Sequence, residues 1–296
     1  MIALVDAMTR QFWIVDTFSE YVLGGIPAAV FFADENDDDT LLQNIAMEVN
    51  ATETIFINQI GYGKFEAKCF TPNCRGMYFG NSIYAAAQVI SSQAPELKNL
   101  SITCDGESYE VEIKNSEEIT VEFANIPLEK VPTPISLPAA LDGVIVVSIA
   151  KSKNELILEV RSPSKLANLI PNMDMLRSMS YDSFVITTDA HYNGSVDYDF
   201  CSNVYAPKLG IFKDIATPIA HAKLAAYWAA RMNKTSFVGV QISHERKRYA
   251  AIRYEPDATY VTCRCAKVAS GEMFVRSENA YRNDTPPSVV SGLLSG

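Results

Sequence analysis

Two short segments constrain this chain more than anything else in it. Ser82 to Ile90 reads SIYAAAQVI, and Ala220 to Met232 reads AHAKLAAYWAARM. A helix on a protein surface carries an apolar stripe on one side only. The first segment is apolar on nearly all sides, and the second is built from small and aromatic residues. Each therefore predicts a helix that is buried rather than laid on a surface, and a buried helix needs strands around it. The flanks supply them. Glu53-Thr-Ile-Phe-Ile57 and Phe65–Phe70 precede the first segment, and Ser101–Cys104, Tyr109–Ile113 and Ile119–Phe123 follow it. Gly143–Ile149, Glu155–Val160 and Ser183–Thr188 precede the second, and Ser236–Ser243, Ala250–Tyr254 and Thr259–Ala266 follow it. These runs alternate or are rich in β-branched residues, as strands are.

The two regions share smaller features. Phe70-Thr-Pro72 stands before the first apolar helix and Tyr205-Ala-Pro207 before the second. Residues 12–32 read as two strands joined by a turn at Gly24-Gly25, and Asp38-Asp-Thr40 can cap a helix over LLQNIAMEV. Leu166 to Met179 is helical in pattern, interrupted at Pro171. The proline-containing stretch Ile126–Ala140 opposes both helix interior and central strand, so it is the natural linker. A chain of 296 residues, 48% hydrophobic, exceeds one typical core. The expected fold class is α+β, in two pseudo-symmetric halves that each wrap a mixed sheet around a central helix. The halves are 1–130, with Glu53 and the first helix, and 131–275, with Asp214 and the second. Residues 276–296 read as a poorly ordered tail.

Charge and composition exclude several classes of function. Acidic residues outnumber basic ones, 35 to 25, for a net charge of −10. Nucleic-acid binding needs clustered Lys and Arg, so no nucleic-acid partner is expected. The one basic cluster, His244 to Tyr249, reads as a solvated strand or turn. No run of eighteen apolar residues occurs, and MIALVDAMTRQFW lacks the layout of a secretory signal. The expectation is a cytoplasmic protein with no membrane partner. The six cysteines form no CxxC pair, and the three histidines, 191, 221 and 244, lie far apart. Zinc-type spacing, a phosphate loop and a dinucleotide fingerprint are all missing. No metal and no cofactor are expected, and the thiols should be reduced.

Glu53 is the unusual residue. It lies in an apolar run upstream of Gly80-Asn-Ser82, the step into the first helix. A carboxylate there is a helix cap, half of an ion pair, or a proton-transfer group, since apolar surroundings disfavour its charged form. The order of motifs resembles the phenazine biosynthesis PhzF-like isomerase family, which shares the diaminopimelate epimerase-like fold. The resemblance rests on Val15-Asp-Thr-Phe18 with Gly25-Ile-Pro-Ala-Ala-Val30, Asn50-Ala-Thr-Glu-Thr54, Phe70-Thr-Pro72 and Gly80-Asn-Ser82. In the second half it rests on Tyr205-Ala-Pro207 and on Asp214, Thr217 and His221.

The resemblance implies cofactor-independent isomerisation of a small carboxylate-bearing metabolite, by proton transfer between carbons. Glu53 matches the family's proton-transferring glutamate, and Asp214 would orient the substrate. Gly80, Asn81 and Ser82, with Thr217, Ile219 and Ala220, would form the substrate-binding positions, using free N–H groups at the helix starts. The expected assembly is a homodimer. There are departures from the family pattern. Asn81 stands where the family has His and cannot titrate. Pro218-Ile219 replace Gly-Ser, removing an N–H and a hydroxyl, which implies a pocket that is smaller, drier or differently shaped. Phe79 stands where related epimerases place a cysteine, and Cys74 is offset, so a two-thiol racemase is not expected. His221 reads as a core histidine. The competing class is a non-catalytic relative that kept the fold for a binding or structural role.

Overall fold

The computed structural model describes residues 8–19, 21–34, 36–76, 80–194, 197–209, 217–243 and 246–275. Its strands form one continuous mixed sheet. In chain order the elements are β1 Met8–Thr17, β2 Ile26–Phe32, α1 Asp39–Val49, β3 Glu53–Gly61, β4 Lys64–Phe70, α2 Asn81–Gln93, β5 Asn99–Cys104, β6 Glu107–Ile113 and β7 Glu118–Ala124. There follow β8 Glu129–Lys130, α3 Leu137–Ala140, β9 Val146–Ser152, β10 Glu155–Val160, α4 Pro163–Ala167, α5 Met173–Ser178, β11 Ser183–Asp189 and β12 Phe200–Tyr205. The chain continues through α6 Pro218–Met232, β13 Ser236–Ser243, β14 Arg246–Tyr254 and β15 Ala258–Val275. The tail expected at 276–296 and the residue Asp214 lie outside the described residues.

One pattern of strand pairing occurs twice. From β1 to β7 successive pairs run antiparallel, parallel, antiparallel, parallel, antiparallel, antiparallel. From β9 to β15 the same order recurs. A parallel step needs a crossover connection. α1 and α2 make the two crossovers in the first series. The α4–α5 segment and α6 make those in the second.

The last strand joins the two series. β15 pairs with β14 and β7 along its first part and with β1 along its second, closing β1–β7 into a ring. The sheet therefore does not divide at residue 130, because a strand from 258–275 completes the first half. Closure removes the free edges of that ring and encloses α2, which packs against β1, β2, β3, β6, β7 and β15. Every residue of α2 from Asn81 to Ser91 is buried. Ala85, Ala86 and Ala87 keep the helix thin enough for strands on all sides. The Tyr84 hydroxyl in the middle of the helix donates to the Val261 carbonyl at 2.7 Å. α6 packs against β14 and β15 and leaves Lys223 half-buried and Arg231 exposed, so it is less completely enclosed than α2.

Several boundaries differ from the sequence expectation. The helical pattern at 166–179 resolves into two short helices, because the proline at 171 cannot continue the first. The linker stretch contains a short strand, β8, and one helical turn, α3, which starts at a leucine–proline step. Residues 246–249 of the basic cluster lie in β14.

Candidate functional site

The turn from α1 into β3 fixes Glu53. Asn50 ends α1 in the left-handed conformation, φ 52°, and Thr52 N–H bonds to the Pro27 carbonyl. The chain then enters β3 with Glu53 opposite Ala28 and with its side chain fully buried. Its Oε2 accepts the Ser82 N–H at 2.9 Å and its Oε1 the Gly80 N–H at 3.3 Å. The N-cap residue of α2 is Gly80, which supplies no capping side chain. Glu53 does that work from another strand, placing negative charge at the positive end of the helix dipole.

Gly80 is glycine because its φ of 84° is left-handed; a Cβ there would meet Ile219 Cγ1 at 3.4 Å and Phe123 Cε1 at 3.6 Å, an ordinary contact. The neighbouring side chains are also tied down. Thr17 Oγ1 donates to Asn81 Oδ1 at 3.1 Å, and Ser82 Oγ lies 3.4 Å from Cys69 Sγ. All six cysteines are free thiols. Burial pushes Cys69 well above the ordinary thiol range and Cys201 up to about 12, so neither is a ready thiolate.

At the second helix start, Thr217 is the N-cap and its Oγ1 accepts the Ala220 N–H at 2.9 Å. Pro218 occupies the first helical position, where a missing N–H is harmless. His221 Nδ1 lies 2.8 Å from the Thr217 carbonyl, which can only accept, so Nδ1 carries the proton. The ring stacks on Phe18 at 5.6 Å and lies 6.2 Å from Phe200. Burial pushes its pKa down to about 4. This is a neutral core histidine.

A cavity of about 780 Å³ opens beside this second helix start. Thr217, Ile219 and Ala220 line it from one side, and Tyr109, Glu122 and Phe123 from the other. Glu53, Gly80, Asn81 and Ser82 do not line it. They lie behind its wall, since Ile219 and Phe123 close off the space that a Cβ on Gly80 would enter. The structure thus brings the expected residues together in two groups, Glu53 with Gly80 and Ser82, and Thr217 with Ala220, which meet at the Gly80–Ile219 contact. At α2 the Gly80 and Ser82 N–H groups, among those expected to hold a substrate carboxylate, already hold that of Glu53. A buried helix end must satisfy its own donors.

Sequence reasoning missed an ion pair on the cavity wall, Lys223 Nζ to Glu155 Oε1 at 2.8 Å, with Ser183 Oγ donating to Glu155 Oε2 at 2.6 Å. The repeat contained the signal. Thr54 pairs with Phe70 as Phe184 pairs with Tyr205, so Ser183 stands where Glu53 stands in the first series. Among the described residues, no group of three or more His, Cys, Asp or Glu is placed to hold a metal, and no helix is long and apolar enough to cross a membrane.

Comparison with known proteins agrees with this architecture. The family model described as phenazine biosynthesis-like protein matches residues 15–269. An uncharacterized isomerase of Halalkalibacterium halodurans is 26% identical over 278 residues, covering 90% of this chain and 100% of that protein. An uncharacterized isomerase of Pseudomonas aeruginosa is 29% identical, over 90% of this chain and 99% of the relative. Among solved structures, a PhzF-family phenazine biosynthesis protein of Enterococcus faecalis superposes with a TM-score of 0.81 at 25% identity, covering 90% of this chain and 100% of that one. A hydroxyproline epimerase of Agrobacterium vitis shares the fold more distantly. Its TM-score is 0.56 at 8% identity, over 90% of this chain and 91% of that one.

Proposed function

Because the chain belongs to the phenazine biosynthesis-like protein family, we propose that it is a cofactor-independent isomerase of a small carboxylate-bearing metabolite, with Glu53 moving a proton between two carbons. The observation that carries this reading is the placement of Glu53. Both of its oxygens are held by N–H groups at the start of a buried helix, one residue behind the wall of the cavity. A carboxylate so oriented can take a proton from one carbon and return it to another, a contribution of roughly 10²- to 10⁴-fold. The relatives described as isomerases support the same class of reaction.

On this reading the two pairing series are pseudo-symmetric halves with the reaction between their helix starts. Ile219, packed on Gly80, is the side chain that must turn aside to admit substrate to Glu53. Thr217 and Ala220 shape the cavity beside it, and Asp214 keeps the orienting role that the family pattern implies. A second reading is favoured by one specific observation. Glu53 is fully buried, and its described partners are the donors of a helix it caps, which suits a relative that binds a metabolite without reacting it. Solvent deuterium exchange separates the two. An isomerase incorporates deuterium at carbon into a bound carboxylate, and Glu53→Gln abolishes the exchange. Exchange undiminished in Glu53→Gln refutes the role of Glu53, and no exchange in the wild-type protein with any carboxylate it binds favours the binding reading.

A further inference from the structure

The cavity wall carries a charged pair that neither helix start explains. Lys223 and Glu155 both line the cavity, with side chains 12% and 13% exposed. Glu155 is held on two sides, by Lys223 at one oxygen and by Ser183 at the other. Glu155 takes one hydrogen bond from an ammonium that has three donors. A half-sequestered ion pair adds little stability, since desolvation offsets the attraction. Its position on the wall therefore calls for another account.

Several helix-end donors that would otherwise grip an anion are occupied. Glu53 holds those of Gly80 and Ser82, Thr217 holds that of Ala220, and Pro218 has none. The other lysine on the wall, Lys153, stands exposed in the turn between β9 and β10. We infer that Lys223 anchors the carboxylate of this protein's ligand, with Glu155 and Ser183 as positioning residues that hold the ammonium against the wall. The inference rests on the reading above only in taking the ligand to bear a carboxylate.

The remaining wall narrows the class. Glu107, Glu122 and Asp182 also line the cavity. Glu155 already shares the Lys223 charge, so a ligand carboxylate would take the remaining donors of the ammonium, and each further carboxylate meets acidic walls and is repelled. Phe123, Ile126 and Ile219 offer apolar surface. The ligand class is a small monocarboxylate with an apolar body.

Benzoate, its neutral analogue benzamide, and citrate test this on the full chain, by titration calorimetry and ligand-observed NMR. The wild-type protein should bind benzoate more tightly than benzamide or citrate. Lys223→Met should weaken benzoate binding by about ten-fold or more, the scale of a hydrogen bond to a charged group. It should leave benzamide unchanged, and Lys223→Arg should retain most of the benzoate affinity. Should Lys223→Met alone fail to fold, the pair Lys223→Met with Glu155→Gln leaves no unpaired charge at that position and gives the same reading. Equal benzoate affinity in the wild type and in the Met variants overturns the inference. So does a wild type that does not bind benzoate, or does not prefer it to benzamide. Lys223-dependent binding without any deuterium exchange would sink the isomerase reading and leave the anchor standing.

Discussion

The two helix starts solve one problem in two ways. At α2 the cap is a carboxylate from β3, Glu53, and the N-cap residue has no side chain. At α6 the cap is local, the hydroxyl of Thr217, and a proline removes one donor. The strand position of Glu53 is held in the second series by Ser183, whose parallel partner is Glu155, where the first series has Ala28. The second carboxylate is therefore displaced by one strand and reaches Lys223, where α2 has Ala86, counting from each N-cap. The first start is dry and closed, and the second borders a cavity. A repeated frame with different polar residues can thus keep a buried, capping carboxylate at one helix start and a cavity wall at the other.

Replacing the acid breaks this comparison most sharply. Glu53→Gln should abolish carbon–deuterium exchange, a loss of at least about 10²-fold. The amide offers one acceptor where the carboxylate offers two, so one buried N–H of the α2 start loses its partner, at a cost of about 1–3 kcal/mol. Ser183→Ala, at the matching position, should leave exchange measurable. If the two variants lose activity equally, the halves are not divided as described.

Acid comes next. His221 and Tyr84 occupy matching positions, and both rings contact Phe18. Only His221 titrates in the mild acid range. Its folded pKa is pushed down to about 4, below its ordinary value of 6.5. The unfolded chain therefore binds more protons between those values, and stability falls as pH drops from about 6.5 to 4. The loss approaches about 3 kcal/mol. Denaturant melts of the wild type and His221→Phe should diverge across that window. Parallel pH profiles would show that His221 does not carry the effect.

Gly80→Ala gives a smaller change. A φ of 84° costs a residue with a Cβ about 1–2 kcal/mol. The new methyl meets Ile219 and Phe123 at ordinary contact distance, so backbone strain dominates. A melting shift of several degrees, with unchanged benzoate binding, is expected. A large loss of benzoate binding would mean that Gly80 lies on the cavity rather than behind it.

Much of the frame is legible in the sequence because burial leaves marks on composition. SIYAAAQVI has no polar face and so announces a helix enclosed on all sides, as α2 is. The Glu53–Gly80–Ser82 grouping follows from motif order. The long-range closure by β15 is not legible, because its pairing with β1 joins residues at opposite ends of the chain and depends on ring geometry rather than local pattern. The occupation of the helix-start donors is hidden for a similar reason. A cap delivered from a different strand has no fixed spacing from the helix it caps, whereas the Thr217 cap, three residues before Ala220, can be read directly. Lys223 and Glu155 look like surface charges until the fold places them on one wall.

The smallest effect tests whether the two caps differ as their surroundings say. Thr217→Ala removes the acceptor for the Ala220 N–H, and loss of an N-cap hydroxyl costs about 0.5–2 kcal/mol. Where that cost falls depends on what the freed donor meets. Thr217 and Ala220 line the cavity, so water can reach the N–H and the cost should lie near the lower end, a melting shift of about 1 °C for a chain of this size. The freed donor also adds a helix-end N–H at α6 beside the cavity, so benzoate affinity should hold or rise. At α2 no such relief exists, because the donors of Gly80 and Ser82 face a fully buried carboxylate. Thr217→Ala should therefore destabilise less than Glu53→Gln. Melting curves for the two variants that coincide, or a Thr217→Ala protein that falls further, would show that the second helix start is as dry as the first and that the contrast between them does not hold.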